Sequence, residues 1–187
     1  NSKNDGGLKD SNSTMHNKFY IFDNKTVITG SANLSHTDMS GFNSNNIIVI
    51  NSPDVAKIYK TEFEQMFNGK FHSAKVSTTN NKSENIQIYF SPQDKSICNA
   101  VLPIIENAKS YIYIPIFVIT ENRVVEALMK AKQRGVDVRL ISDALNAMNQ
   151  YSKIKILRTN GVPVKIENYA GKMHSKTMIV DDKFLII

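Results

Sequence analysis

One cysteine, Cys98, stands in a chain of 187 residues. No internal disulfide can form, and no cysteine cluster is available for a metal. Its setting, between Ile97 and Leu102, predicts a small buried apolar residue. No apolar run is long enough to cross a bilayer, and none has the layout of a signal peptide. Dense Lys/Arg runs are missing as well, so the net charge of +6 is spread along the chain. That balance favours polyanions such as nucleic acid or an anionic membrane surface, and a scattered lysine surface explains it equally well. The length and the 41% hydrophobic content suit a soluble globular protein with one ordinary core. The chain opens in a polar stretch, residues 1–14, that reads as a flexible loop, and it ends inside an apparent strand. It therefore reads as a piece of a longer chain.

What is present, and twice, is a histidine, a lysine and a carboxylate at one spacing. His16, Lys18 and Asp23 recur as His174, Lys176 and Asp181, each copy preceded by a methionine and running into a β-rich stretch. Gly30-Ser31-Ala32-Asn33 follows the first copy; the chain stops at Ile187 before an equivalent would follow the second. On an extended strand, a histidine and the lysine two positions on face the same side, so both can reach one phosphate. Asp23 and Asp181 come seven residues after their histidines, on the opposite face of a regular strand, where a structural or orienting role suits them better than chemistry.

Strand and helix signals alternate around the two copies. Residues 15–23 and 26–29 read as strands about a turn, and residues 46–50 as a buried strand. Ser52 and Pro53 open a helix whose stripe of Val55, Ile58, Tyr59, Phe63, Met66 and Phe67 reads as core. Residues 72–84 read as a linker between a first unit, 1–71, and a second, 85–187. In the second, Ser91-Pro92 opens a helical stretch to about Lys109, broken or kinked by Pro103. Pro115 predicts an irregularity in the strand 111–119. Thr120 reads as the cap of a helix carrying Val124, Val125, Leu128 and Ala131 and ended by Gly135. Strands follow at 136–142 and 162–166, about a short helix at 151–160. This alternation predicts an α/β fold, a mostly parallel sheet covered by helices.

The first copy, through Asn33, resembles the signature of the phospholipase D superfamily, and the second matches it from His174 to Asp181. The segment from Phe90-Ser91-Pro92 through Arg134-Gly135-Val136-Asp137-Val138-Arg139 is similar to small bacterial nucleases of that superfamily. The resemblance implies a layered α/β sandwich of two pseudo-symmetric units packed as a pseudo-dimer, with no stable protein partner evident. It implies a phosphodiesterase that needs no cofactor and no metal. One histidine forms a phosphohistidine and the other acts as acid, then as base for water. These roles fall to His16 and His174; His16 as nucleophile is preferred, and the swapped order fits the sequence equally. Lys18 and Lys176 would neutralise phosphate oxygens, and Ser31 and Asn33 would donate hydrogen bonds to them. The substrate is a phospholipid or a nucleic acid, and an alcohol in place of water would make the enzyme a transferase.

Two departures matter. The second Gly-Ser-x-Asn is lacking, and Asn45 stands where the family often has an acidic residue supporting a catalytic histidine. An asparagine carries no charge and raises the basicity of an imidazole less than a carboxylate does. Asn45 thus encourages a reading of another class, a catalytically silent module that binds polyanions. Residues 85–187 and 15–71 together hold most elements of one unit in permuted order, which suggests an excerpt from a two-unit protein, or segment swapping with a neighbour. His36 and His72 read as surface residues. Asp143, at a strand end, is placed either to line the site or simply to turn the chain.

Overall fold

The computed structural model describes residues 15–77, 82–83, 85–168 and 171–187. The expected loop at 1–14 and positions 78–81 and 84 of the expected linker lie outside them. The fold is mixed α/β, in two compact units that alternate along the sequence. One comprises Asn1–Thr29 with Ile47–Ser96, the other Gly30–Asn46 with Ile97–Ile187.

The first unit holds β1 (Phe19–Phe22), β2 (Thr26–Gly30) and β3 (Ile47–Asn51), hydrogen-bonded in that order. Asp23 and Asn24, with φ of 51° and 52°, are the left-handed residues of the turn Asp23–Lys25 between β1 and β2, closed by the Lys25 N–H on the Phe22 carbonyl. Two successive left-handed residues match the right-handed twist of a hairpin, and Asp and Asn tolerate them better than branched residues do. The short helix α1 (His36–Met39) belongs to the second unit, and α2 (Pro53–Phe67) to the first. Ser52 caps α2 by accepting the Val55 N–H, with Pro53 in the first turn, as the sequence predicts. Strands β4 (Lys82–Ser83) and β5 (Ile86–Gln87) form a small hairpin.

Two expectations fail here. The buried face of α2 runs through Val55, Ala56, Glu62 and Met66, whereas Phe63 and Phe67 are 46% and 70% exposed and stack on each other. Glu62 takes the inward position because Lys75 Nζ meets its carboxylate at 2.5 Å and Gln93 donates to it at 2.8 Å. A paired charge can be buried at modest cost, and the helix rotates to bury it. Strand β3 is not buried: it lies at the sheet edge, with Ile47 and Val49 exposed.

The second unit is built on β6 (Tyr111–Ile116), β7 (Asp137–Asp143), β8 (Val164–Glu167), β9 (Met178–Val180) and β10 (Phe184–Ile186). Their order is β10-β9-β6-β7-β8. The pairs β6/β7 and β7/β8 are parallel, but β9 runs antiparallel to β6 and hairpins into β10. The sheet is thus mixed rather than mostly parallel, because the second motif copy enters it as a returning hairpin. Around it lie α3 (Leu102–Asn107), α4 (Asn122–Gln133), α5 (Ala144–Ala147) and α6 (Ile154–Thr159). The stripe Val124, Val125, Leu128 and Ala131 of α4 is buried with Ile112, Val138 and Leu140 in one core. Gly135, at φ +92°, lets the chain leave α4.

Smaller corrections concern single residues. Glu121, not Thr120, caps α4, its carboxylate accepting the Arg123 N–H. Cys98 is exposed, with Arg123 Nη1 3.0 Å from its sulfur. Ser91-Pro92 lies in a turn and does not open the helical stretch, which runs from a π-helical turn at Ile97–Val101 directly into α3, with Pro103 in the first turn of α3, where its missing N–H is tolerated. Pro115 stays within β6, its carbonyl accepting the Thr177 N–H at 3.1 Å.

Candidate active site

Both motif lysines fold back on their own histidine. Lys176 Nζ donates to the His174 carbonyl at 2.8 Å, and Lys18 Nζ to the His16 carbonyl at 2.9 Å. The spacing of two thus places each ammonium beside its imidazole-bearing residue through the backbone. His16 is exposed, in extended chain just before β1, and Lys18 is half-buried. His174 is only 9% exposed.

The aspartates part from the strand picture. Asp181 and Asp182, with φ of 55° and 52°, form a turn like that of Asp23 and Asn24. The Asp181 carboxylate accepts the N–H groups of Lys109, Ser110 and Tyr111 at 2.7, 2.8 and 2.9 Å. Those backbone bonds, with that from Tyr111 foremost, hold its pKa below the ordinary carboxylate value. Asp181 therefore ties the turn to the start of β6, an orienting role.

The histidine of the second copy is seated on the segment that follows the first. Residues 43–46 run beside the approach to β9: the Ser44 N–H donates to the Lys172 carbonyl, and the His174 N–H to the Ser44 carbonyl, at 2.8 and 2.9 Å. Side chains repeat the contact. His174 Nδ1 lies 3.0 Å from Asn45 Oδ1. Ser31 Oγ accepts the Asn46 N–H at 3.0 Å and donates to the same Asn45 oxygen at 2.9 Å. Ser175 Oγ donates to Asn46 Oδ1 at 3.1 Å. With the amide oxygen of Asn45 assigned to face Ser31 and His174, it accepts from both, so that His174 donates from Nδ1 and Nε2 carries the lone pair of the neutral ring.

Asp38, on α1, lies behind this amide. Its carboxylate accepts the Asn33 N–H at 2.8 Å, Asn33 Nδ2 at 2.6 Å and Asn43 Nδ2 at 2.6 Å, and stands 3.9 Å from His174 Nδ1. Burial pushes its pKa up, but the bonds from Asn43, Asn33 and Asn45 outweigh that and hold it far below the ordinary 3.8. Asp38 is a buried, charged group. Phe117 completes the seat, its ring edge-to-face with His174 at 4.8 Å and 5.0 Å below Lys176 Nζ.

Of the residues singled out in the sequence, Ser31, Asn33, Asn45, His174 and Lys176 are brought together in the second unit. Ser31 and Asn33 serve the scaffold through Asn45 and Asp38. Asp143 both caps α5, accepting the Asn146 N–H at 2.9 Å, and lines a cleft of about 370 Å³ with Thr37, Phe42, Asn43, Leu145 and Lys172. His36 is exposed, as expected, and His72 is half-buried. Asp38 and Phe117 escaped the sequence reading. One signal for Asp38 was available: it is the lone acidic residue between Asp23 and Asp54. Phe117 gives none, since it meets His174 only where the adjacent strands β6 and β9, distant in sequence, come together. Among the described residues, no three His, Cys, Asp or Glu side chains converge as metal ligands.

A family model described as "Cardiolipin synthase, PLD-like domain" matches residues 3–67 and 101–187. The chain belongs to that phospholipase D-like family. It is 29% identical over 102 residues to a phospholipase D of Rickettsia prowazekii (strain Madrid E), covering 54% of this chain and 49% of that protein. With the mitochondrial cardiolipin hydrolase of Mus musculus it shares 33% over 95 residues, 51% of this chain and 43% of that one. The chain spans about half the length of these relatives. Among solved structures, the phosphatidylserine synthase of Haemophilus influenzae Rd KW20 overlays 90% of this chain and 52% of its own, at TM-score 0.60 and 11% identity, a likeness of fold.

Proposed function

We propose that the protein is a phosphodiesterase working through histidine, with no metal in the chemical step. The observation that carries this is the seat of His174, whose Nδ1–H is bound to Asn45 Oδ1 so that Nε2 is the reacting nitrogen. His16 holds the equivalent place in the first copy. One Nε2 attacks phosphorus; a P–N bond forms as the P–O bond breaks, and the departing oxygen takes a proton from the other imidazole. Water, deprotonated by that same imidazole, then breaks the P–N bond. Lys18 and Lys176 offset the charge gathering on the non-bridging oxygens. Asp181 and Asp23 shape the turns behind the motif strands.

The substrate is a phosphodiester of a phospholipid or of a nucleic acid. The names of the curated relatives favour lipid, and the +6 net charge suits either. The test is hydrolysis of cardiolipin-containing vesicles and nicking of plasmid, each in excess EDTA, by the parent and by His174→Ala. Turnover of one substrate that falls about 100- to 10,000-fold in the variant supports the reading. Equal turnover in both overturns it. A second reading, a binding module without turnover, is favoured by the uncharged Asn45; it predicts polyanion binding in both proteins and hydrolysis in neither.

A further inference from the structure

Asn45, the residue that meets Nδ1 of His174, is neutral, yet the carboxylate of Asp38 stands 3.9 Å from the same nitrogen. Asp38 is 7% exposed and kept ionised by three N–H donors from Asn33 and Asn43. The Asn45 amide lies beside the pair, its oxygen held by Ser31 and facing His174 and its NH2 donating to the Asn43 carbonyl at 3.4 Å. We propose that Asp38 is the positioning residue of His174, supplying through the Asn45 amide and across 3.9 Å the negative charge that residue 45 itself lacks. This rests on the phosphodiesterase reading only for its effect on rate.

The physics is electrostatic. A buried carboxylate 3.9 Å from an imidazole favours the imidazolium, because little water screens the pair. The Asn45 amide lies beside that pair, its oxygen 3.0 Å from Nδ1 and its NH2 donating to the Asn43 carbonyl at 3.4 Å, and a polarised amide passes on part of the effect. Among the described residues, a charged group beside His174 besides Asp38 is Lys176, whose ammonium sits on the His174 carbonyl and opposes the imidazolium. The groups packed from the remaining elements, Ser31, Ser44, Asn45 and Phe117, are uncharged. Asp38 is thus the negative member of this cluster, and removing it must lower the pKa of His174. The direction is independent of role. Whether His174 works as base or as acid, its limb of the pH–rate profile moves to lower pH when the carboxylate is lost.

The experiment is an NMR titration of the His174 imidazole in the full chain and in Asp38→Asn. Its signals are identified among the four histidines by their loss in His174→Ala. The expected result is a fall of about one pH unit in Asp38→Asn, and recovery when Asn45→Asp is added to that variant. In turnover of whichever phosphodiester is cleaved, kcat falls by about tenfold, its pH limb shifts the same way and KM stays within about twofold. Asn45→Leu, which breaks the bridge and keeps the charge, gives a smaller fall and provides a second reading if Asp38→Asn does not hold its fold. An unchanged His174 titration in a folded variant overturns the proposal. A parent without turnover defeats the enzymatic reading alone, since the titration still reports the coupling.

Discussion

At the scale of single residues, the charges that matter most are bound to backbone or amide groups. Asp181, half-exposed at a turn, shows how this works. Three N–H groups from the start of β6 converge on one carboxylate, and charge-assisted bonds of this kind are about twice as strong as neutral ones. Asp181→Ala leaves those donors to water and loosens the entry to β6. It should cost about 1–3 kcal/mol, read as a lowered midpoint in urea with an unchanged slope. The pH dependence follows from the sign of the shift. Asp181 and Asp38 are both held below the ordinary carboxylate value of 3.8, so the stability they add is complete above that pH. It is lost as the pH falls toward the folded-state values. The difference between parent and Asp181→Ala should therefore shrink in acid, and a difference that stays constant from pH 7 to pH 2 would contradict the role given to Asp181.

At the scale of elements, the sequence was legible where a pattern is local. The cap at Ser52, the stop at Gly135 and the apolar stripe of α4 each rest on residues within a few positions, and the structure shows all three. Rotation of α2 was illegible, because Glu62 turns inward only by virtue of Lys75 and Gln93, which no local pattern connects to it. The direction of β9 was hidden for the same reason, since pairing with β6 is long-range. The hairpins lie between these cases. The sequence places a turn at Asn24 and Lys25, whereas the left-handed pair is Asp23 and Asn24, so the motif aspartate belongs to the turn and not to the strand. This turn makes a prediction of its own. Asn24→Gly fits the left-handed φ of 52° and should raise stability by a few tenths of a kcal/mol, net of a surface bond from Lys60. Asn24→Val, a branched residue forced into that region, should lower it by about 1–2 kcal/mol. Thermal denaturation of the pair reads both; a valine variant as stable as the parent would mean that the turn has another geometry.

At the scale of the whole molecule, the two motif copies are not self-contained. The Gly-Ser-x-Asn element lies beside the first copy in sequence, yet Ser31 and Asn33 build the seat of the second copy's histidine, by way of Asn45 and Asp38. Packing of residues 30–46 around His174 joins segments far apart in the sequence, and no reading of adjacent residues could show it. Charge is the other property of the whole chain. A net +6 without dense runs predicts that binding to a polyanion weakens as salt rises, whatever the protein does afterwards. The slope of log affinity against log salt then separates a site from a diffuse surface. Each lysine bonded to a phosphate contributes about one to that slope. If Lys176 holds a substrate phosphate, Lys176→Met should lower the slope for single-stranded DNA or anionic vesicles by about one and abolish turnover. Lys130→Met, in the last turn of α4, removes the same charge from a helix that carries no motif residue and should leave turnover intact. Equal effects of the two substitutions on turnover and slope would place the phosphate on the general basic surface. A loss confined to Lys176 would place it beside His174, where the buried carboxylate and the ammonium divide the task of holding the imidazole and the phosphate.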